Sequence, residues 1–102
     1  MFYAMQRIVI TGLGAITSLG SLDEFWKGLL AGKSGIRKIQ SFDTAEMKTQ
    51  IAGEVPDFDP ADYEIHPKNA RRMSRASLLA LATEKMALAD ARLTSEDVQK
   101  NS

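Results

Sequence analysis

The chain has 102 residues with 13 basic and 13 acidic side chains, and it contains no cysteine. That length allows one domain at most, and the balanced charge gives no electrostatic reason to expect nucleic acid or an anionic membrane as a partner. The missing cysteine excludes, within these residues, a disulfide framework, a thiolate metal site and a cysteine nucleophile. His66 is the single histidine, so there is no histidine pair for zinc, and a Ser-His-Asp triad would rest on one imidazole beside Pro67; a surface histidine before a proline turn is the simpler reading.

Met1 to Gln6 carries no basic side chain, and the apolar stretch after Arg7 is cut by Thr11, Gly12 and Gly14. It therefore has neither a signal-peptide core nor the ~20 apolar residues of a membrane span, and the chain reads as cytoplasmic. Ile8-Val9-Ile10 is a β-branched apolar run ended by glycines, which predicts a first strand over 7–11 buried on both faces. Ser21 and Glu24 are spaced as a capping box. Leu22, Phe25, Trp26, Leu29 and Leu30 recur at helical spacing, so a helix is expected over about 22–31 with Gly32 as its left-handed stop. A second strand is expected over about 51–55, closed by Pro56, and "DFDPADY" reads as one helical turn or a tight loop with Pro60 at its start. The longest element is a helix over about 69–91, made almost entirely of strong helix formers. Within it "ASLLALA", Ala76 to Ala82, is apolar or small on every side, which marks a helix enclosed between layers. Two short strands do not make a sheet that stands alone, so the pattern is that of an α/β segment belonging to something longer.

Two stretches imitate phosphate loops, and neither satisfies the chemistry. Gly12 and Gly14 fit the first two glycines of a dinucleotide fingerprint, but Thr17 stands at the third, and the helix cap at Ser21 comes too late for its amides to face a pyrophosphate. "GKS" at 32–34 has Lys27 where the P-loop needs its first glycine, and it ends a helix where a P-loop begins one.

The spelling "RIVITGLGAITSLG", "FWKGLLAGKSGI", "SFD", "IAGEVPDFDPADY" and "KNARRMS", followed by "ALADARL", resembles in order the N-terminal stretch of the β-ketoacyl-acyl carrier protein synthases, from Arg7 to Leu93. The resemblance implies the N-terminal portion of a thiolase-like layered αβαβα fold, with residues 1–102 a partial segment of a β-ketoacyl synthase domain. It further implies a homodimeric condensing enzyme that extends acyl chains by decarboxylative condensation with malonyl-acyl carrier protein, for fatty acid or polyketide synthesis. In the family that acyltransferase works through a cysteine and two histidines; none of the three is here, and His66 does not align with either histidine. This chain alone is expected to be inactive, to hold no cofactor or metal, and to need the remainder of the synthase. On this reading the glycines after the first strand form a structural turn. Four positions depart from the family pattern: Ser18 stands for a common proline, Ser74 for an acid, Ala76 for an aromatic, and Arg92 for a glycine, which removes an inexpensive left-handed helix stop.

Charge is also segregated. Seven acids between Asp43 and Glu64 face Lys48 alone, and then Lys68, Arg71, Arg72 and Arg75 follow without an acid among them. Spacing i, i+3, i+4, i+7 places these four on one face at the start of the long helix, where a positive stripe opposes the helix dipole. A solvated face is one reading. The other is an anion dock, since the resemblance places the family's docking cations for the acidic acyl carrier protein onto Lys68, Arg71 and Arg72, with Arg75 extending the stripe by geometry. The alternatives to a condensing enzyme are a non-catalytic module that binds an acidic partner protein and a Rossmann-type nucleotide-binding domain.

Overall fold

Ile16–Thr17 (β1) and Gly20–Ser21 (β2) form an antiparallel pair in the register Ile16 opposite Ser21 and Thr17 opposite Gly20. The computed structural model describes residues 5–100. The hairpin feeds α1, Leu22–Leu30, whose N-cap position is Ser21. The expected capping box is not made: the Ser21 hydroxyl forms no cap bond, and the Glu24 side chain lies against Gly20. The other end follows the sequence. Gly32 turns left-handed at φ 69°, its N–H bonds to Leu29 O at 3.1 Å, and Lys33 N–H bonds to Gly28 O at 2.9 Å, the paired bonds of a Schellman stop.

Arg37–Lys38 (β3) and Ile51–Ala52 (β4) make a second antiparallel pair. The strand expected over 51–55 is therefore only two ladder residues long; beyond Ala52 the chain leaves the pair, and the Val55 carbonyl is taken by the Arg75 guanidinium at 2.8 Å. A 3₁₀ turn, Pro60–Tyr63, opens with Asp59 accepting from Ala61 N–H at 3.0 Å. The helix expected over 69–91 is broken in two. A short α2, Pro67–Ala70, starts under His66, whose Nδ1 accepts from Lys68 N–H at 3.1 Å. Then Ser74 becomes extended at ψ 160°, its hydroxyl accepts from Ser77 N–H at 3.2 Å, and α3 begins at Arg75 and runs to Asp90. Ser74 competes with the helix backbone for a local hydrogen bond and so starts a new helix where propensity alone continues one. α4, Ser95–Lys100, closes the described chain, with Thr94 and Asp97 exchanging backbone-to-side-chain bonds in a capping box.

The first strand expected over 7–11 is not paired with any described residue, and Ile8 and Ile10 are 93% and 82% exposed. A strand exists by its partner's hydrogen bonds, so an apolar run without one is extended chain. What the run does is deliver Gly12–Gly14 onto α3. A Cβ on Gly12 would lie 2.6 Å from Ala91 N, and one on Gly14 would lie 2.9 Å from Ala87 N and strike Thr83 O. Leu13 N–H bonds to Asp90 Oδ2 at 2.9 Å between them. The glycines are thus needed for close approach to the small-residue side of α3, and neither has a positive φ.

Little else is closed. Among the described residues, Ile65 and Ala82 are the buried hydrophobic ones, at 4% and 0% exposure. The chain exposes 8899 Å² and has a radius of gyration of 18.1 Å, where a compact monomer of its size exposes roughly 5,700 Å² and has a radius of about 13 Å. Ala76 and Ala80 on the apolar-or-small stretch of α3 are exposed, as are Trp26 and Leu30 on α1. These faces leave large apolar side chains open to solvent.

Candidate functional site

The four cations do not share one helix face. Lys68 lies on α2, Arg71 is its C-cap in right-handed helical conformation, and Arg72 N–H bonds to Asn69 O at 3.1 Å, so these three remain on one continuous turn. Arg75 stands beyond the Ser74 break at the first position of α3. The break is the physical reason the expected stripe of four is a cluster of three plus one. All four side chains are exposed.

Arg75 is engaged within the chain. Besides its bond to Val55 O, its guanidinium carbon lies 5.6 Å from the Phe58 ring centroid, within cation–π range. Phe58 in turn stacks on Tyr63, with centroids 5.6 Å apart and planes inclined at 28°. Next to this stands Glu54, whose carboxylate accepts from Gln40 N–H at 2.8 Å, from Ser41 N–H at 3.3 Å and from the Ser41 hydroxyl. The Ser41 hydroxyl, the Gln40 amide and, more weakly, the Arg75 charge hold the Glu54 carboxyl below the usual carboxylate range. A groove of about 650 Å³ runs along this clasp, lined among others by Arg37, Lys38, Ser41, Gly53 and Leu79. A second hollow of about 440 Å³ shares Val55, Pro56 and Asp57 with this groove and carries Glu24, Asp59 and Asp62.

No group of three or more His, Cys, Asp or Glu side chains able to hold a metal occurs among the described residues, and no helix among them is long and apolar enough to cross a membrane. The glycine turn makes no phosphate cradle, because α3 backbone occupies the space in front of Gly12 and Gly14.

Residues 5–102 match the family model described as the N-terminal domain of beta-ketoacyl synthase. The chain belongs to the β-ketoacyl synthase family. Relatives of this synthase segment include the 3-oxoacyl-[acyl-carrier-protein] synthase 2 of Synechocystis, 40% identical over 86% of this chain and 21% of that protein. The chloroplastic 3-oxoacyl-[acyl-carrier-protein] synthase II of Arabidopsis thaliana is 42% identical over 89% of this chain and 17% of that protein. Among solved structures, the ishigamide ketosynthase/chain length factor superposes with a TM-score of 0.81 at 44% identity, covering 92% of this chain and 23% of that one. That likeness gives the segment a ketosynthase fold. The chain spans about a fifth of the length of the relatives it matches.

Sequence reasoning missed Glu54, Phe58 and Tyr63 as members of this region. Their contacts reach back to Ser41 and forward to Arg75, separations at which no local period gives a signal. The nearest hint was the crowding of proline, aspartate and aromatic residues in "VPDFDPADY".

Proposed function

We propose that this chain is the N-terminal part of a condensing enzyme, an acyltransferase that elongates acyl chains by decarboxylative condensation with malonyl-acyl carrier protein. The observation that carries the reading is the family match over residues 5–102. It is supported by relatives named as 3-oxoacyl-[acyl-carrier-protein] synthases and by a granaticin polyketide putative beta-ketoacyl synthase of Streptomyces violaceoruber, 43% identical over 86% of this chain. The chemistry is that of the whole protein. With no cysteine and one histidine, which caps α2 through Nδ1, these residues supply no acyl-accepting thiol.

In this reading the exposed apolar faces of α1, α3 and the 7–11 run are covered by the rest of a layered αβαβα domain, the enzyme works as a cytoplasmic homodimer, and the role of this segment in turnover is to receive the acidic acyl carrier protein. Lys68, Arg71 and Arg72, exposed on one turn, form the dock: guanidinium forks and an ammonium meet carboxylate or phosphate and act chiefly on encounter rate and register. Arg75, spent on Val55 and Phe58, is left out of it.

The test is elongation. The complete protein, given acyl- and malonyl-carrier protein, should form a 3-oxoacyl product with release of CO2, while the 102-residue chain should form none above a no-protein control. Failure of the complete protein would return the reading to a non-catalytic module for an acidic partner; elongation by the chain alone would overturn the assignment of the chemistry to residues outside it.

A further inference from the structure

The dock is carried by a very short helix, and something must fix its direction. α2 has four residues, far too few to be stable by its own hydrogen bonds. It hangs from the 55–66 segment, and α3 holds that segment at both ends. At one end Arg75 binds the Val55 carbonyl at 2.8 Å and lies over the Phe58 ring; at the other, Lys85 Nζ reaches the Glu64 carbonyl at a looser 3.4 Å. Between the two holds, Phe58 stacks on Tyr63 at the end of the 3₁₀ turn, Ile65 is buried with its N–H on Pro60 O at 3.2 Å, and His66 caps α2. From the guanidinium to Lys68 the chain of contacts is continuous: ring on ring, 3₁₀ turn, buried isoleucine, cap, helix.

We propose that Arg75 is a positioning residue, which through the Phe58–Tyr63 stack sets the direction of α2 and so of the docking cations Lys68, Arg71 and Arg72. This rests on the docking reading above and gives Arg75 a role different from that of a fourth docking charge. A guanidinium can bond the carbonyl in its plane while lying against a ring, and an ammonium cannot do both with the same fit. Arg75→Lys therefore keeps the charge and loses the hold. Phe58→Leu loses the hold with no change of charge at all.

The experiment compares Arg75→Lys, Arg75→Ala, Phe58→Leu and the Lys68/Arg71/Arg72 triple alanine variant in the complete synthase that carries this segment. Each is assayed with carrier-protein substrate and with a small acyl thioester at low and high salt, and amide exchange is followed at Ile65, Asn69 and Ala70. Positioning predicts that Arg75→Lys and Phe58→Leu each lower kcat/KM for the carrier-protein substrate about two- to fivefold. The small thioester should be untouched, the salt dependence should stay that of the parent because the docking charges remain, and exchange at the three amides should quicken. Arg75→Lys behaving as the parent while Arg75→Ala loses activity and salt dependence would make Arg75 a docking charge and overturn the proposal. So would equal losses for both substrates, which would make Phe58 and Arg75 general supports of the fold. If the triple alanine variant weakens carrier use and neither hold variant does, positioning fails and the dock stands; if the triple variant changes nothing, the dock itself fails.

Discussion

Replacing Gly14 by alanine puts one methyl group into the seam between the N-terminal run and α3. The new Cβ would sit 2.9 Å from Ala87 N and 2.9 Å from Met86 Cβ, and it would strike the Thr83 carbonyl oxygen. Carbon contacts are comfortable at about 3.5–4.0 Å, so the run must withdraw by roughly 1 Å, and the obstacles are mostly helix backbone that cannot rotate away. Overpacking of this kind costs about 1–3 kcal/mol. Alanine recovers about 0.4–1 kcal/mol by restricting the unfolded chain where the native φ permits it, and it does here, since Gly14 lacks a positive φ. The net expectation is a loss of about 1–2 kcal/mol, with faster exchange of the Leu13 amide that Asp90 holds. Urea unfolding of the complete protein, parent against Gly14→Ala, measures it. A variant as stable as the parent would mean that the glycines are not there for close approach to α3, and the structural reading of the turn would fall.

Arg92 holds φ at 59° to end α3, with its N–H on Ala89 O and Leu93 N–H on Leu88 O; Arg92→Gly relieves that left-handed strain and should raise stability by up to about 1 kcal/mol in thermal unfolding, and a lowered melting temperature would contradict it. The Glu54 carboxyl titrates below the unfolded group, so its clasp on Gln40 and Ser41 stabilises fully above the usual glutamate range and is lost as pH falls through the depressed value. Urea midpoints taken between about pH 3 and pH 6 should fall more steeply for the parent than for Glu54→Gln, and parallel curves would remove the clasp from the account. The 102-residue chain on its own, with Ile8, Ile10, Trp26 and Leu30 exposed, should self-associate in sedimentation; a monomer that unfolds sharply would show that it closes a core after all.

What the sequence made legible was local. Gly32 and Pro60 each carry their reason in their own backbone, a left-handed stop and a fixed φ at a first turn. Features that depend on partners were less legible. Residues 7–11 have the composition of a buried strand, but strand pairing belongs to two segments. Ser21 has the spelling of a capping box, yet its hydroxyl makes no cap bond and the Glu24 side chain lies against Gly20 instead. Ser74 departs from the family pattern in the sequence, but that it breaks the helix and divides the basic stripe shows only in the structure. Of the candidate site, the cations were visible as a charge run, whereas the Arg75–Phe58–Tyr63 stack was not, because rings that meet across a loop leave no periodic trace.

The central claim, that Lys68, Arg71 and Arg72 receive an acidic carrier protein in a condensing enzyme, is tested most directly by binding. Fluorescence anisotropy of labelled acyl carrier protein, titrated with the complete synthase and with its Lys68/Arg71/Arg72 triple alanine variant at about 0.05 M and about 0.5 M salt, separates charge from everything else. The account predicts a Kd about tenfold or more weaker for the triple variant at low salt, and a gap that narrows at high salt as screening removes the parent's advantage. Equal affinities at low salt would contradict it.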